Sequence, residues 1–163
     1  MSEESTTPLE TVEFAITLSA LWHNDPPKYE VLIDDTIFDH GVVEEMDEQQ
    51  QIKIVRFSTE LPEGDHTLKI RLLGKQFKHT IIDAEGNILK DQLLHVKQIE
   101  IDDIELDNVV WTHGFFHKQI GMGTKNLVFN ETPEKHKYIT TGFNGEYRLT
   151  FSVPTYMWFL ENL

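Results

Sequence analysis

Four carboxylates, Asp91, Asp102, Asp103 and Asp107, lie beside apolar runs and therefore near the ends of expected strands. Groups of this kind are hard oxygen donors that suit calcium, which takes roughly six to eight oxygen ligands. Asp83, Glu85 and Asn87 alternate in a loop as another oxygen set. Gly86 is out of place for an EF-hand, however, and no closing Glu follows. The other reading of all these groups is solvated turn carboxylates on an acidic chain.

His113 and His117 have the i, i+4 spacing that would put two imidazoles on one helical face, but Gly114 lies between them and no Glu follows His113. A zinc-protease site needs His-Glu-x-x-His, so surface or loop histidines are expected. None of Ser2, Ser5, Ser19, Ser58 and Ser152 occupies a Gly-x-Ser-x-Gly elbow. Gly121-Met122-Gly123-Thr124 lacks the lysine of a phosphate loop. No residue set supports catalysis, and the chain is read as a non-enzyme. Binding is different: Phe115, Phe116, Tyr138 and Phe143 sit in a segment rich in Gly, His and Lys. They could form a sugar-stacking or protein-docking surface, or complete the core. Trp22, Trp111 and Trp158 are expected as core or rim anchors.

The elements that must position these groups read as strands. Val12, Phe14, Ile16 and Leu18 alternate with smaller or polar residues, as do Tyr147, Leu149, Phe151 and Val153 near the end, and Tyr29, Val31 and Ile33 continue the period of two. In the stretch 51–59 the apolar phase slips between Ile54 and Val55, which a β-bulge would allow. Leu61-Pro62-Glu63-Gly64-Asp65, followed by alternating His66, Leu68, Ile70 and Leu72, reads as a hairpin. A further strand series runs over 92–106, and a short strand over 126–129. The spacing predicts an all-β fold, an antiparallel β-sandwich of jelly-roll type, with a short helical turn after Pro154. A flexible leader over 1–10 precedes a single domain over 11–163, with a loop-rich insertion at about 112–145.

The chain has 163 residues, enough for one core. Fourteen Lys and Arg face 28 Asp and Glu, a formal charge of −14. That balance repels polyanions and anionic lipid, so neither nucleic acid nor membrane is an expected partner. Cysteine is absent, which removes disulfides and thiolate metal sites. No apolar run reaches spanning length, and the acidic N-terminus does not read as a signal peptide, so synthesis in a cytoplasm is expected. Ile33-Asp34-Asp35 with Asp39 and Val42 recurs 68 positions on as Ile101-Asp102-Asp103 with Asp107 and Val110. Either two hairpins share an Asp-Asp turn whose side chains bond locally to backbone amides, or a half-domain is duplicated.

Three stretches carry a resemblance: Tyr29-Glu30-Val31-Leu32-Ile33-Asp34-Asp35, Leu61-Pro62-Glu63-Gly64-Asp65-His66-Thr67-Leu68 and Lys90-Asp91-Gln92-Leu93-Leu94-His95-Val96. Together with the closing strand and the tail from Pro154 to Leu163, they resemble the xylan-binding-type, calcium-dependent carbohydrate-binding β-sandwich, especially divergent versions encoded by tailed bacteriophages. The likeness covers residues 12–111 and the tail. It implies a calcium and sugar site built from an Asn-Asp pair after the hairpin strand and an Asp before a later strand. Gly74-Lys75 stands at the first position here, and Asp91 at the second. The expected function is a non-catalytic virion structural or decoration protein, located in the particle and partnered by virion proteins or by itself. The alternative is a calcium-dependent glycan-binding module that attaches a virion or an enzyme to polysaccharide.

Overall fold

A computed structural model describes residues 8–121, 125–133, 140–141 and 143–163. The chain runs β1 (Leu9–Leu21), β2 (Lys28–Ile33), β3 (Thr36–Val42), β4 (Lys53–Pro62), β5 (Gly64–Leu73), β6 (Ile81–Ile82), β7 (Ile88–Lys90), β8 (Leu93–Ile101) and β9 (Ile104–Glu105). It continues through α1 (Val109–Thr112), β10 (Gly114–Ile120), β11 (Val128–Phe129), β12 (Thr140–Thr141), β13 (Gly145–Val153) and α2 (Thr155–Asn162). One sheet has the order β12-β8-β1-β4, with β9 also on β8; the other has the order β11-β10-β13-β5-β2-β3. β6 and β7 pair apart as a small hairpin. Every strand pairing is antiparallel, and the two sheets face each other as a sandwich, as the alternation predicts.

The period-two residues face the core. Val12, Phe14, Ile16 and Leu18 from one sheet meet Leu68, Ile70, Leu72, Leu149 and Phe151 from the other, all buried. Phe14 stacks on Phe57 at 4.9 Å and meets Phe151 edge-on at 5.6 Å. Glu146 lies on the opposite face of β13 and is also buried, accepting hydrogen bonds from Arg71 Nε at 2.8 Å and Arg148 Nε at 2.5 Å. α2 closes one end, with Trp158 buried against the core.

Four expectations differ from the fold. The turn at 61–65 is not a hairpin: β4 pairs with β1, whereas β5 pairs with β13 and β2, so Pro62 to Gly64 carries the chain between sheets. No bulge interrupts the β1–β4 ladder; Ile54 simply faces outward at 44% exposure while Val55 is buried. A bulge does occur in β8, where Thr17 pairs with Gln98 but Leu18 pairs with Val96. The extra residue, Lys97, switches the inward positions from Leu94 and Val96 to Ile99 and Ile101. Within 112–145, β10 is a seven-residue strand of the second sheet rather than loop. His117 on β10 is buried, with Nδ1 2.9 Å from the Asn130 carbonyl, not a surface histidine.

The recurring Asp-Asp turns serve two hairpins, β2–β3 and β8–β9. Asp34 and Asp102 both have positive φ, 53° and 51°. Their carboxylates do not bond locally; each reaches a third strand. Asp34 pairs with Thr67 on β5 through its own N–H and through Oδ1, and Asp102 pairs with Glu13 on β1 in the same way. The second carboxylate oxygen takes His66 Nδ1 at 2.8 Å in one case and Thr155 Oγ1 at 2.6 Å in the other.

His66 is buried with its other nitrogen 2.8 Å from the Pro62 carbonyl, so both ring nitrogens face acceptors and the imidazolium satisfies both. Burial opposes the charge most strongly, but Asp34 and the Pro62 carbonyl outweigh it and raise the pKa above 6.5. A pKa raised on folding contributes stability that is complete below the unfolded value near 6.5 and is lost as pH rises through the folded value. The thermal midpoint should therefore fall across that window on the alkaline side, and His66→Gln should flatten the fall. An identical slope in the variant would remove His66 as the cause.

Candidate ligand-binding site

A groove of about 280 Å³ opens where the loop after β5 meets the end of β10 and the start of β13. Its walls include Phe77, Phe143, Lys118, Gln119, Asn144 and Lys75. The 74–80 loop is fixed from three sides. Lys75 N–H donates to Asn144 Oδ1 at 2.8 Å, and Asn144 Nδ2 returns a bond to the Lys75 carbonyl at 2.9 Å. His79 Nδ1 accepts the Gln76 N–H at 2.9 Å, leaving Nε2 to donate to Asp25 at 3.0 Å. Asp91 Oδ1 accepts Lys75 Nζ at 2.7 Å, Thr80 Oγ1 at 2.7 Å and Gln92 N–H at 2.8 Å.

The loop so held presents Phe77 to solvent at 85% exposure. Phe143 faces outward at 56%, with Lys118 Nζ 4.0 Å from its ring centroid. Two phenyl rings kept in water beside amide and ammonium donors form a surface that offers apolar faces and directed hydrogen bonds together. Of the four aromatic candidates, Phe143 lines this groove. Phe116 is buried, because β10 turns it inward beneath Gly145, where an added Cβ would meet the ring at 2.5 Å. Phe115 is half-exposed on β10 outside the groove lining, and Tyr138 lies outside the described residues. Phe77 was not singled out by sequence. Its signal is a lone aromatic within Lys75-Gln76-Phe77-Lys78-His79, where polar neighbours leave a phenyl ring no local core to enter.

The carboxylate candidates are not brought together. Asp91 precedes β8 and Asp102 follows it, so the nine-residue strand separates them by roughly 30 Å. Burial pushes the Asp91 carboxyl up, but Lys75, Thr80 and the Gln92 amide more than reverse this and hold it below the ordinary range. Asp102 has both oxygens engaged, on Glu13 and Thr155, and Asp107 accepts from Gln98 Nε2 at 2.8 Å. Asp103 lines a separate depression of about 270 Å³ over Ala15, with Glu13, Glu100 and Arg56.

The donor set implied by the resemblance does not fit calcium. One of its positions supplies Lys75, whose ammonium occupies the Asp91 oxygen a cation would need. Among the described residues no group of three or more His, Asp or Glu is arranged to hold a metal.

No family model matches the chain, and no curated protein matches it. Among solved structures it is similar to vCBM60 in complex with galactobiose, at 8% identity and a TM-score of 0.42, over 86% of this chain and 97% of that one.

Proposed function

We propose that this chain is a non-catalytic glycan-binding domain and that it binds through the groove between Phe77 and Phe143. The observation that carries the reading is the pair of outward phenyl rings, each held beside polar donors by a hydrogen-bonded loop. A sugar ring presents an apolar C–H face to an aromatic and hydroxyls to its flanks. Asn144, Gln119 and the lysines stand where those hydroxyls would be met. Binding in this form does not run through calcium, because Lys75 already neutralises Asp91.

Retention on immobilised polysaccharides tests it. Phe77→Ala and Phe143→Ala should each weaken retention by about tenfold, or about 1.4 kcal/mol, and a chelator should change nothing. A wild-type chain retained by no member of a broad polysaccharide panel would overturn the reading.

A structural role in a virion is the second reading. The observation that favours it is the outer face of α2 with the residue that caps it, where Tyr156, Met157, Leu160 and Leu163 are exposed, an apolar stripe that a neighbour would cover. Mass spectrometry of purified particles decides it: stoichiometric copy number supports the role, and absence removes it.

A further inference from the structure

A second cavity, of about 310 Å³, lies on the other side of the same 74–80 loop, and Gln76 lines both. Lys28, Lys78, His79, Gln92 and Asp25 are among its walls. Resting on the glycan-binding reading, we infer that the two cavities form one site and that it selects an anionic saccharide, one bearing a carboxylate or a sulfate on the unit seated beside His79.

Charge is the first argument. The chain carries −14 overall, yet among the described residues the two cavities are lined by four lysines, Lys28, Lys75, Lys78 and Lys118, and one carboxylate, Asp25, with Asp91 behind the lining pairing Lys75 at 2.7 Å. That carboxylate is already met by His79 at 3.0 Å and Lys78 at 3.3 Å. The stem of Lys28 lies over Gly74, where an added Cβ would stand 3.5 Å from Cδ, and Lys28 makes no ion pair among the described residues. A local positive cleft on a negative protein attracts an anion at short range while the rest of the surface repels it.

The second argument is an unpaired acceptor. Gln92 is 2% exposed, and its Nε2 donates to the Asp25 carbonyl at 3.0 Å, but its Oε1 has no partner among the described residues. A buried acceptor without a partner is unfavourable, and a saccharide hydroxyl at the cavity floor would supply the missing bond. Lysine rim and hydroxyl acceptor together match a charged sugar better than a bare anion.

Retention of the full chain on polygalacturonate, dextran sulfate, neutral galactan and dextran, at low and high salt, tests the inference. At low salt at least one charged polymer should retain the chain at least tenfold more strongly than the neutral ones. High salt should erase most of that difference. The carboxylated and sulfated arms identify which anion is taken. Lys28→Gln with Lys78→Gln should lower the charged-to-neutral ratio at least fivefold, whereas Lys69→Gln, a lysine on β5 paired with Asp35 outside both cavities, should leave it unchanged. Equal wild-type retention of charged and neutral polymers overturns the inference and leaves the glycan reading standing. A preference that survives the double substitution overturns the lysine assignment. Retention of none of the four, repeated across the broader panel, overturns the underlying reading.

Discussion

Replacing Glu146 with alanine is expected to lower the folding free energy by about 3–5 kcal/mol. Glu146 is 1% exposed and is the shared acceptor for two guanidiniums, Arg71 and Arg148. Each arginine reaches outward with a second nitrogen, Arg71 to Glu30 at 3.2 Å and Arg148 to Glu131 at 2.9 Å. The Phe129 ring lies 5.2 Å from the Arg71 guanidinium carbon and 5.8 Å from that of Arg148. Removing the carboxylate leaves two largely covered cations facing each other without the anion between them, and neither can lose its proton. Glu146→Gln keeps the shape and one acceptor, and should cost less. Urea denaturation would show the midpoint drop with an unchanged slope. A loss below about 1 kcal/mol would mean that water reaches the cluster and screens it.

Phe151→Ala should cost a similar amount, about 3–5 kcal/mol, through a different mechanism. Phe151 is fully buried between the sheets, meeting Phe14 edge-on and lying 5.9 Å from the His66 ring. Truncation removes apolar contact and leaves a void that two hydrogen-bonded sheets close only in part. Calorimetry should report the lower midpoint. A cost under about 1 kcal/mol would show that the sheets collapse onto the gap.

Strand identity was legible wherever one face of a strand is apolar and the other polar, as in β1, β5 and β13. Sheet membership was not. Leu61-Pro62-Glu63-Gly64-Asp65 carries the local chemistry of a turn, but whether the flanking strands pair with each other depends on β1 and β13, far away in sequence. β10 was hidden because Phe115 and Phe116 are adjacent and His117 is buried too, which breaks the alternation. In the site, Phe143 was legible as an aromatic in a polar segment. Phe77 and the Lys75–Asp91 pair were not, since both depend on how a loop folds back on a distant strand. The same nonlocal contact decides against the calcium set that the resemblance implies.

The proposed glycan site is the face bearing Phe77 and Phe143. Backbone amide chemical shifts, followed during titration with oligosaccharides of the polymer that retains the chain, test this most directly. Perturbations are expected to centre on residues 75–80, on Lys118 and Gln119, and on Phe143 and Asn144. Saturable perturbations centred instead on α2, or on the depression around Ala15, would contradict it.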